Sequence, residues 1–267
     1  HRWYRPHYLP RQKAIPALCA RLIGEYDGYV PLQPVSKPCS CSALLPDSGI
    51  AVLRDGWDRW ANTMVLDFGR PLGGHAYPAR GSFSLYLRGR PAAMSPGSPH
   101  AYTDPDYQEW MHTTLSQNTV MIDDLNQEEW QRPGGDRITG EILCWNVDTD
   151  SALVQGRHEG YLPNTGIVHI RTVKLLYGRF FLIHDILDAT KAGEDHVAKW
   201  SIHCPGELCE MDGRAVLADG LMCIVPAWPE RVTTIEFGAR GKAVWPADSE
   251  DGCTDVHRRL YHARWHA

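Results

Sequence analysis

From Ser48 onward the apolar residues of this chain fall into short runs that alternate with polar ones. "GIAVLRDG", "NTMVLDFG", "GSFSLYLRG", "NTVMIDD", "ALVQGRHEGY" and "GLMCIVPAW" are all of this kind, each bounded by Gly, Asp, Asn or Pro. A repeat of two places every other side chain on one face, which suits a half-buried strand and not a helix. "HIRTVKLLYGRFFLIHDIL" holds two such runs around Tyr177-Gly178 and reads as a β-hairpin. Many short strands in close succession, without helical repeats between them, point to an all-β, antiparallel β-sandwich.

The first residues differ. "RQKAIPALCARLIGEY" sets Ile15, Leu18, Leu22 and Ile23 at helical spacing, with Pro16 near the helix start where proline is tolerated. "DGYVPLQPVSKPCS" then carries Pro31, Pro34 and Pro38 and reads as an extended linker. The expected organisation is a short helical lead-in with a Pro-rich linker over residues 1–45, then a sandwich over residues 46–267. A chain of 267 residues has room for one large core and a small appendage.

Charge and cysteine narrow the function. A formal net charge of -5 argues against nucleic acid as a partner, and an acidic ligand would need a local basic pocket. No apolar run reaches the ~20 residues of a membrane span. The opening "HRWYRPHYLP" has neither an initiator Met nor a signal-like segment and reads as a processed or excised piece. Eight cysteines (Cys19, Cys39, Cys41, Cys144, Cys204, Cys209, Cys223 and Cys253) fit either disulfides or buried thiols. "CSC" and "CPGELC" are poor zinc spacings. There is no GxSxG, no Gly-rich phosphate loop and no HExxH, and the triplet in "DFGRP" has no kinase context around it.

The order "DSGIAVLRDG", "GGHAYPARGSFSLYLRGRPAAMSPGSPHAY", "WMHTTLSQNTVMIDDLNQ" and "GYLPNTGIVHIRTVKLLYGRFFLIHDIL" resembles the C-terminal β-sandwich of heparinase II/III-type polysaccharide lyases over residues 46–205. The resemblance implies a cleft shared with an N-terminal helical toroid, of which residues 1–45 match at most the last helix. It implies an acidic polysaccharide as partner, a helical domain or chain to complete the cleft, and a periplasmic or secreted location. Such proteins read Gly-His-x-His-x-Asp, then Asp-Pro-Gly, then His-Asn-Thr-Val. The first His is catalytic; the second His, the Asp before Pro-Gly and the last His bind zinc. Here His75 holds the catalytic position, while Tyr77, Ser95 and Gln117 stand at the three metal positions and Ala79 replaces the motif's Asp. Phenol, hydroxyl and carboxamide are poor zinc ligands, so no metal and no other cofactor is expected, and a polar network among the three replaces the ion.

Eliminating a uronic-acid glycoside needs a neutralised carboxylate, a base for the adjacent proton and an acid for the departing oxygen. His75, Tyr77 and Tyr107 are the candidate catalytic residues, because imidazole titrates near neutrality and a phenol can move a proton when its pKa is lowered. Arg80, Tyr102, Trp110, His112, Gln117 and Asn118 are the candidate substrate-binding residues; His112 sits where the family carries Arg. The competing readings are edge packing for the aromatics, a solvated strand position for Arg80, and turn-fixing hydrogen bonds for Asn118 and Thr119. His158, His169 and the other histidines show no ligand spacing and read as structural or exposed; "HRRLYHARWHA" spaces its histidines loosely and could bind metal only incidentally, as any His-rich tail can. The expected function is metal-free β-elimination on an acidic polysaccharide. The alternatives are an inactive carbohydrate-binding or structural sandwich, and a scaffold turned to a different small substrate.

Overall fold

The computed structural model describes residues 40–69, 76–97, 103, 105–127, 140–211, 214–217, 219–226, 234–246 and 255–266. Residues 1–39 with 245–256 form one unit and residues 40–244 with 257–267 another. The expected helix and most of the Pro-rich linker lie outside the described residues, as do His75 and Tyr102.

The larger unit is built of antiparallel strands. β1 (Ala43–Leu45), β2 (Ile50–Arg54), β3 (Thr63–Asp67), β4 (Ser82–Leu87) and β5 (Arg90–Ala93) form a meander in chain order. After β6 (Val120–Ile122) come β7 (Gly140–Val147), β8 (Ser151–His158), β9 (Val168–Leu176) and β10 (Phe180–Asp188), a second meander. The last two are the expected hairpin, turning at Gly178 with a φ of 65°. β11 (Ala198–Cys204) pairs with β6, while β12 (Leu208–Met211), β13 (Arg214–Leu217) and β14 (Cys223–Ile224) form a small sheet. β15 (Thr234–Pro246) and β16 (Asp255–His266) close the edge beside β11. The His-rich segment is a strand: His203 of β11 lies opposite His262 of β16. Of the eight cysteines, Cys41, Cys144, Cys204, Cys209 and Cys223 are thiols, and Cys19, Cys39 and Cys253 lie outside the described residues.

Alternation places one face of each meander inward. Ala51, Leu53, Met64, Leu66, Phe83 and Leu85 meet Ala152, Val154, Val173 and Leu175 in one core, joined by Ile202 and Cys204 of β11. Phe68 locks the two sheets: a Cβ on Gly156 would stand 2.5 Å from its ring, so only glycine leaves room there. Burying a side chain of that size contributes about 2–3 kcal/mol.

The inner face of the second sheet becomes polar at one end. Register sets His158 of β8 opposite His169 of β9, and Arg171 of β9 opposite Asp185 of β10. Gly160 N–H donates to His158 Nδ1 (3.2 Å), which leaves the ring proton on Nε2 to donate to His169 Nδ1 (2.8 Å). His169 Nε2 donates in turn to Asp185 Oδ1 at 2.7 Å. Arg171 closes a two-pronged pair with the same carboxylate, Nε to Oδ1 at 2.6 Å and Nη2 to Oδ2 at 2.9 Å, and Trp200 Nε1 adds a bond of 2.9 Å. Burial opposes the charge on Asp185, yet Arg171 and His169 hold its carboxyl well below the usual carboxylate range. Burial depresses both histidines, with Arg171 adding to the effect and Asp185 partly offsetting it.

Two outcomes follow. Asp185→Asn leaves Arg171 buried without its anion and lowers unfolding free energy by about 3–5 kcal/mol, read from the urea midpoint. Because His158 and His169 stay neutral when folded, the unfolded chain takes up protons that the native one refuses. Stability is thus full above the ordinary imidazole pKa of about 6.5 and falls below it, by up to about 1.4 kcal/mol per pH unit for each histidine. Urea midpoints measured between pH 7.5 and pH 5 (our chosen range, about one unit above to 1.5 below that pKa) should drop on acidification, and His158→Gln should shrink the drop.

Candidate active site

Three segments meet beside this polar end: residues 76–81 leading into β4, the turns at 105–116, and residues 117–119 leading into β6. Arg171 ties two of them to the sheet, donating from Nη1 to the carbonyls of Gly81 (2.5 Å) and Asn118 (3.0 Å). Gln127 grips Arg80 twice, accepting its N–H at 2.8 Å and donating to its carbonyl at 3.0 Å. Thr119 Oγ1 donates to the same carbonyl at 3.2 Å. Thr114 Oγ1 donates to Pro78 O at 2.8 Å and accepts Gln127 N–H at 2.9 Å. The 76–81 segment is thus clamped along its length.

Tyr107–Met111 is a π-helical turn closed by His112 N–H on Tyr107 O at 2.7 Å. The wider turn, a form frequent at functional sites, brings Tyr107 and His112 together with ring centroids 5.1 Å apart. Tyr77 completes the cluster, 6.4 Å from the Tyr107 ring and 5.4 Å from His112. His112 Nε2 donates to Ala76 O at 2.9 Å, so its ring fixes the Ala76–Tyr77 peptide. Tyr77, Tyr107 and His112 are therefore assembled in one place, with Tyr77 and His112 half-buried at its surface.

The other expected residues sit behind them. Arg80 is buried, in contrast to a solvated strand residue, and its positive charge acts on His158 and Asp67. Trp110 is 2% exposed and meets His203 edge-on at 5.5 Å, Gln117 is 3% exposed, and Asn118 is 0% exposed. The Gln117 amide donates to Ser116 Oγ (2.9 Å) and Met111 O (3.4 Å). Asn118 Nδ2 donates to Phe83 O (2.8 Å), and its Oδ1 accepts from His203 N–H (2.7 Å), joining β4 to β11. These three contact protein in this structure, and Asn118 and Thr119 do not fix a local turn: their side chains bond Phe83, His203 and Arg80, far away in the chain. The sequence reading did not single out Gln127, Thr114 or the His158–His169–Asp185–Arg171 chain. No local spacing marks them, because strand register and loop closure bring them in.

The family model for the heparinase II/III-like C-terminal domain matches residues 37–253. The chain belongs to that family. It is 29% identical over 159 residues to the heparin-sulfate lyase of Pedobacter heparinus, a match covering 55% of this chain and 21% of that protein. A crystal structure of a mutant of the heparan sulfate lyase HepC from Pedobacter heparinus superposes with a TM-score of 0.63 at 18% identity, over 96% of this chain and 38% of that one. A crystal structure of heparinase III gives a TM-score of 0.62 at 20% identity, over 86% and 35% respectively. The chain thus spans well under half the length of these relatives, and the structural likeness is one of fold.

Within the family sandwich, the residues at the zinc positions do not fit zinc. The expected network among the three does not form between Tyr77 and Gln117: Tyr77 OH donates to Gly97 O at 3.3 Å, and the Gln117 amide is turned to Ser116 and Met111. Ser95 offers a neutral hydroxyl. None of the three supplies an imidazole or a carboxylate, the donors that zinc takes from such positions. Among the described residues no group of three His, Cys, Asp or Glu converges as a metal site. Prolonged dialysis against a chelator should leave the thermal midpoint unmoved, and zinc added back should not raise it; a chelator-induced drop would refute this donor chemistry.

Proposed function

We propose that this heparinase II/III-like sandwich is a polysaccharide-lyase domain that cleaves an acidic, uronate-containing polysaccharide by β-elimination without a bound zinc. The Tyr77–Tyr107–His112 cluster, pinned to the Ala76–Tyr77 peptide, is the observation that carries this reading. His75 takes the proton beside the uronate carboxylate, and the electron pair left behind forms the ring double bond. The glycosidic carbon–oxygen bond breaks, and Tyr77 or Tyr107 donates the proton that the departing oxygen needs. His112 keeps the 76–77 backbone in place, and Tyr102 meets the sugar. Arg80 supplies positive potential from behind the wall, favouring a carboxylate in an otherwise acidic protein. Trp110, Gln117 and Asn118 act by positioning these groups. A helical domain or chain closes the cleft from the other side, and the protein works in the periplasm or outside the cell. Among the described residues no helix is long and apolar enough to cross a membrane.

The relatives' names make heparan sulfate the first substrate to try, beside heparin, chondroitin, hyaluronan and alginate. A second reading, a carbohydrate-binding sandwich that no longer turns over, is favoured by the substitutions at Tyr77, Ser95 and Gln117 together. The two part on ultraviolet absorbance of the unsaturated uronate. A chelator-insensitive rise that His75→Ala abolishes, and that Tyr77→Phe or Tyr107→Phe slows by about 10²–10⁴-fold, supports the lyase. A flat trace on every polymer, with binding retained, leaves the non-catalytic module.

A further inference from the structure

The loop between β2 and β3 holds two tryptophans out in water: Trp57 is 42% and Trp60 58% exposed. Each has a guanidinium against its ring, Arg54 at 5.8 Å from the Trp57 centroid and Arg59 at 4.3 Å from that of Trp60. The loop is not slack. Asn62 N–H and Nδ2 donate to the two carboxylate oxygens of Asp55 at 2.8 and 2.7 Å, and Trp60 N–H donates to Asp58 Oδ1 at 2.7 Å. Arg54 Nη2 donates to Asp58 O at 2.9 Å. From below, the β4–β5 turn supports the loop: Arg88 N–H donates to Asn62 Oδ1 at 3.0 Å. Gly89, at a φ of +70°, approaches so closely that a Cβ would lie 2.1 Å from Arg59 O.

Ordering a loop has an entropic cost, and here it fixes two large apolar rings that keep about half their surface in water. Rigid, solvent-facing aromatics of this kind are favourable anchors for a ligand, since little freedom remains to be lost on binding. An indole face accepts the C–H face of a sugar ring, and a guanidinium beside it offers paired donors to a carboxylate or sulfate. This end of the first sheet is not the candidate active site. The strand register runs from Thr63↔Tyr86 here to Asp67↔Ser82, where residues 76–81 enter, four residues or roughly 13 Å away along the strands.

We propose that Trp57 and Trp60, with Arg54 and Arg59, form a second, surface site for a segment of acidic polysaccharide. It holds the polymer on the sandwich while another stretch occupies the cleft. The choice of an acidic glycan rests on the function proposed above; the existence of a ligand site rests on the loop alone.

Binding is measured at low salt for heparin (sulfated), polygalacturonate (carboxylate only) and dextran (neutral), with single-stranded DNA as a non-sugar polyanion. W57A/W60A should weaken both acidic glycans about tenfold. R59Q should reduce the preference for them over dextran, and its smaller change guards against misfolding in the double variant. Preference for heparin over polygalacturonate assigns the anion as sulfate, and equal binding assigns it as carboxylate. Unchanged affinity in W57A/W60A, no glycan binding by the parent protein, or equal binding of DNA would each overturn the site. Product formation from a short oligosaccharide should be the same in W57A/W60A and the parent. Trp-dependent binding without any elimination product would sink the lyase reading and keep this site; turnover with Trp-independent binding would do the reverse.

Discussion

The buried pair of Arg171 and Asp185 holds the sandwich and the candidate site in one frame. It sits on β9 and β10, yet Arg171 spends its remaining donor on Gly81 and Asn118, carbonyls from two distant segments. A buried ion pair does not by itself outdo a well-packed apolar pair of the same volume, because desolvating two charges costs several kcal/mol each. What it supplies is direction. A guanidinium has five N–H donors in a fixed fork, so every acceptor around it must stand in one place. His169 and Trp200 fill the other approaches to the carboxylate, and His158 extends the chain to Gly160. The loops of the site are therefore referenced to the rigid centre of the second sheet.

How far this was readable depended on the range over which each feature is encoded. The β9–β10 hairpin was plain because its alternation runs unbroken for nine residues on each side of a glycine turn. β7 was missed: a bulge between Ile142 and Cys144 breaks its period of two, and as an edge strand it buries little. β11 was missed for the opposite reason, since its last four residues are all buried and give no alternation. β16 was hidden by composition, because histidines and arginines outweigh its strand pattern. At the site, family order was enough to name Tyr77, Tyr107 and His112 as candidates, but not to show that their rings meet. Gln127 and the His158–His169 contact were illegible, because nothing local distinguishes a glutamine that clamps a backbone 47 residues away.

The π turn shows how a small backbone irregularity brings distant side chains together. In a regular helix, Tyr107 and His112, five apart, would point in divergent directions. Widening the turn by one residue stacks them close enough to share Tyr77. The same turn buries Tyr107, Trp110 and Met111 in one apolar cluster, while Tyr77 and His112 beside it stay half-buried. Burial thus fixes the Tyr107 ring from below, and Tyr77 and His112 pack against it from the half-buried side.

A frame of separate hydrogen bonds depends on different conditions from a metal centre. A zinc ion joins its three ligands through one centre, so its loss releases all of them at once, and chelation or protonation of one ligand is felt by every segment. Here the corresponding segments are joined by separate contacts: Tyr77 to Gly97, Thr114 to Pro78, Thr119 and Gln127 to Arg80, Asn118 to Phe83 and His203. Each neutral bond is worth only about 0.5–1.5 kcal/mol, and any one can fail without releasing the others. The charged member that couples them is Arg171, whose own partner is a carboxylate shielded by two neutral histidines. A brace built this way answers to acidity: conditions that protonate imidazoles in the unfolded chain weaken it.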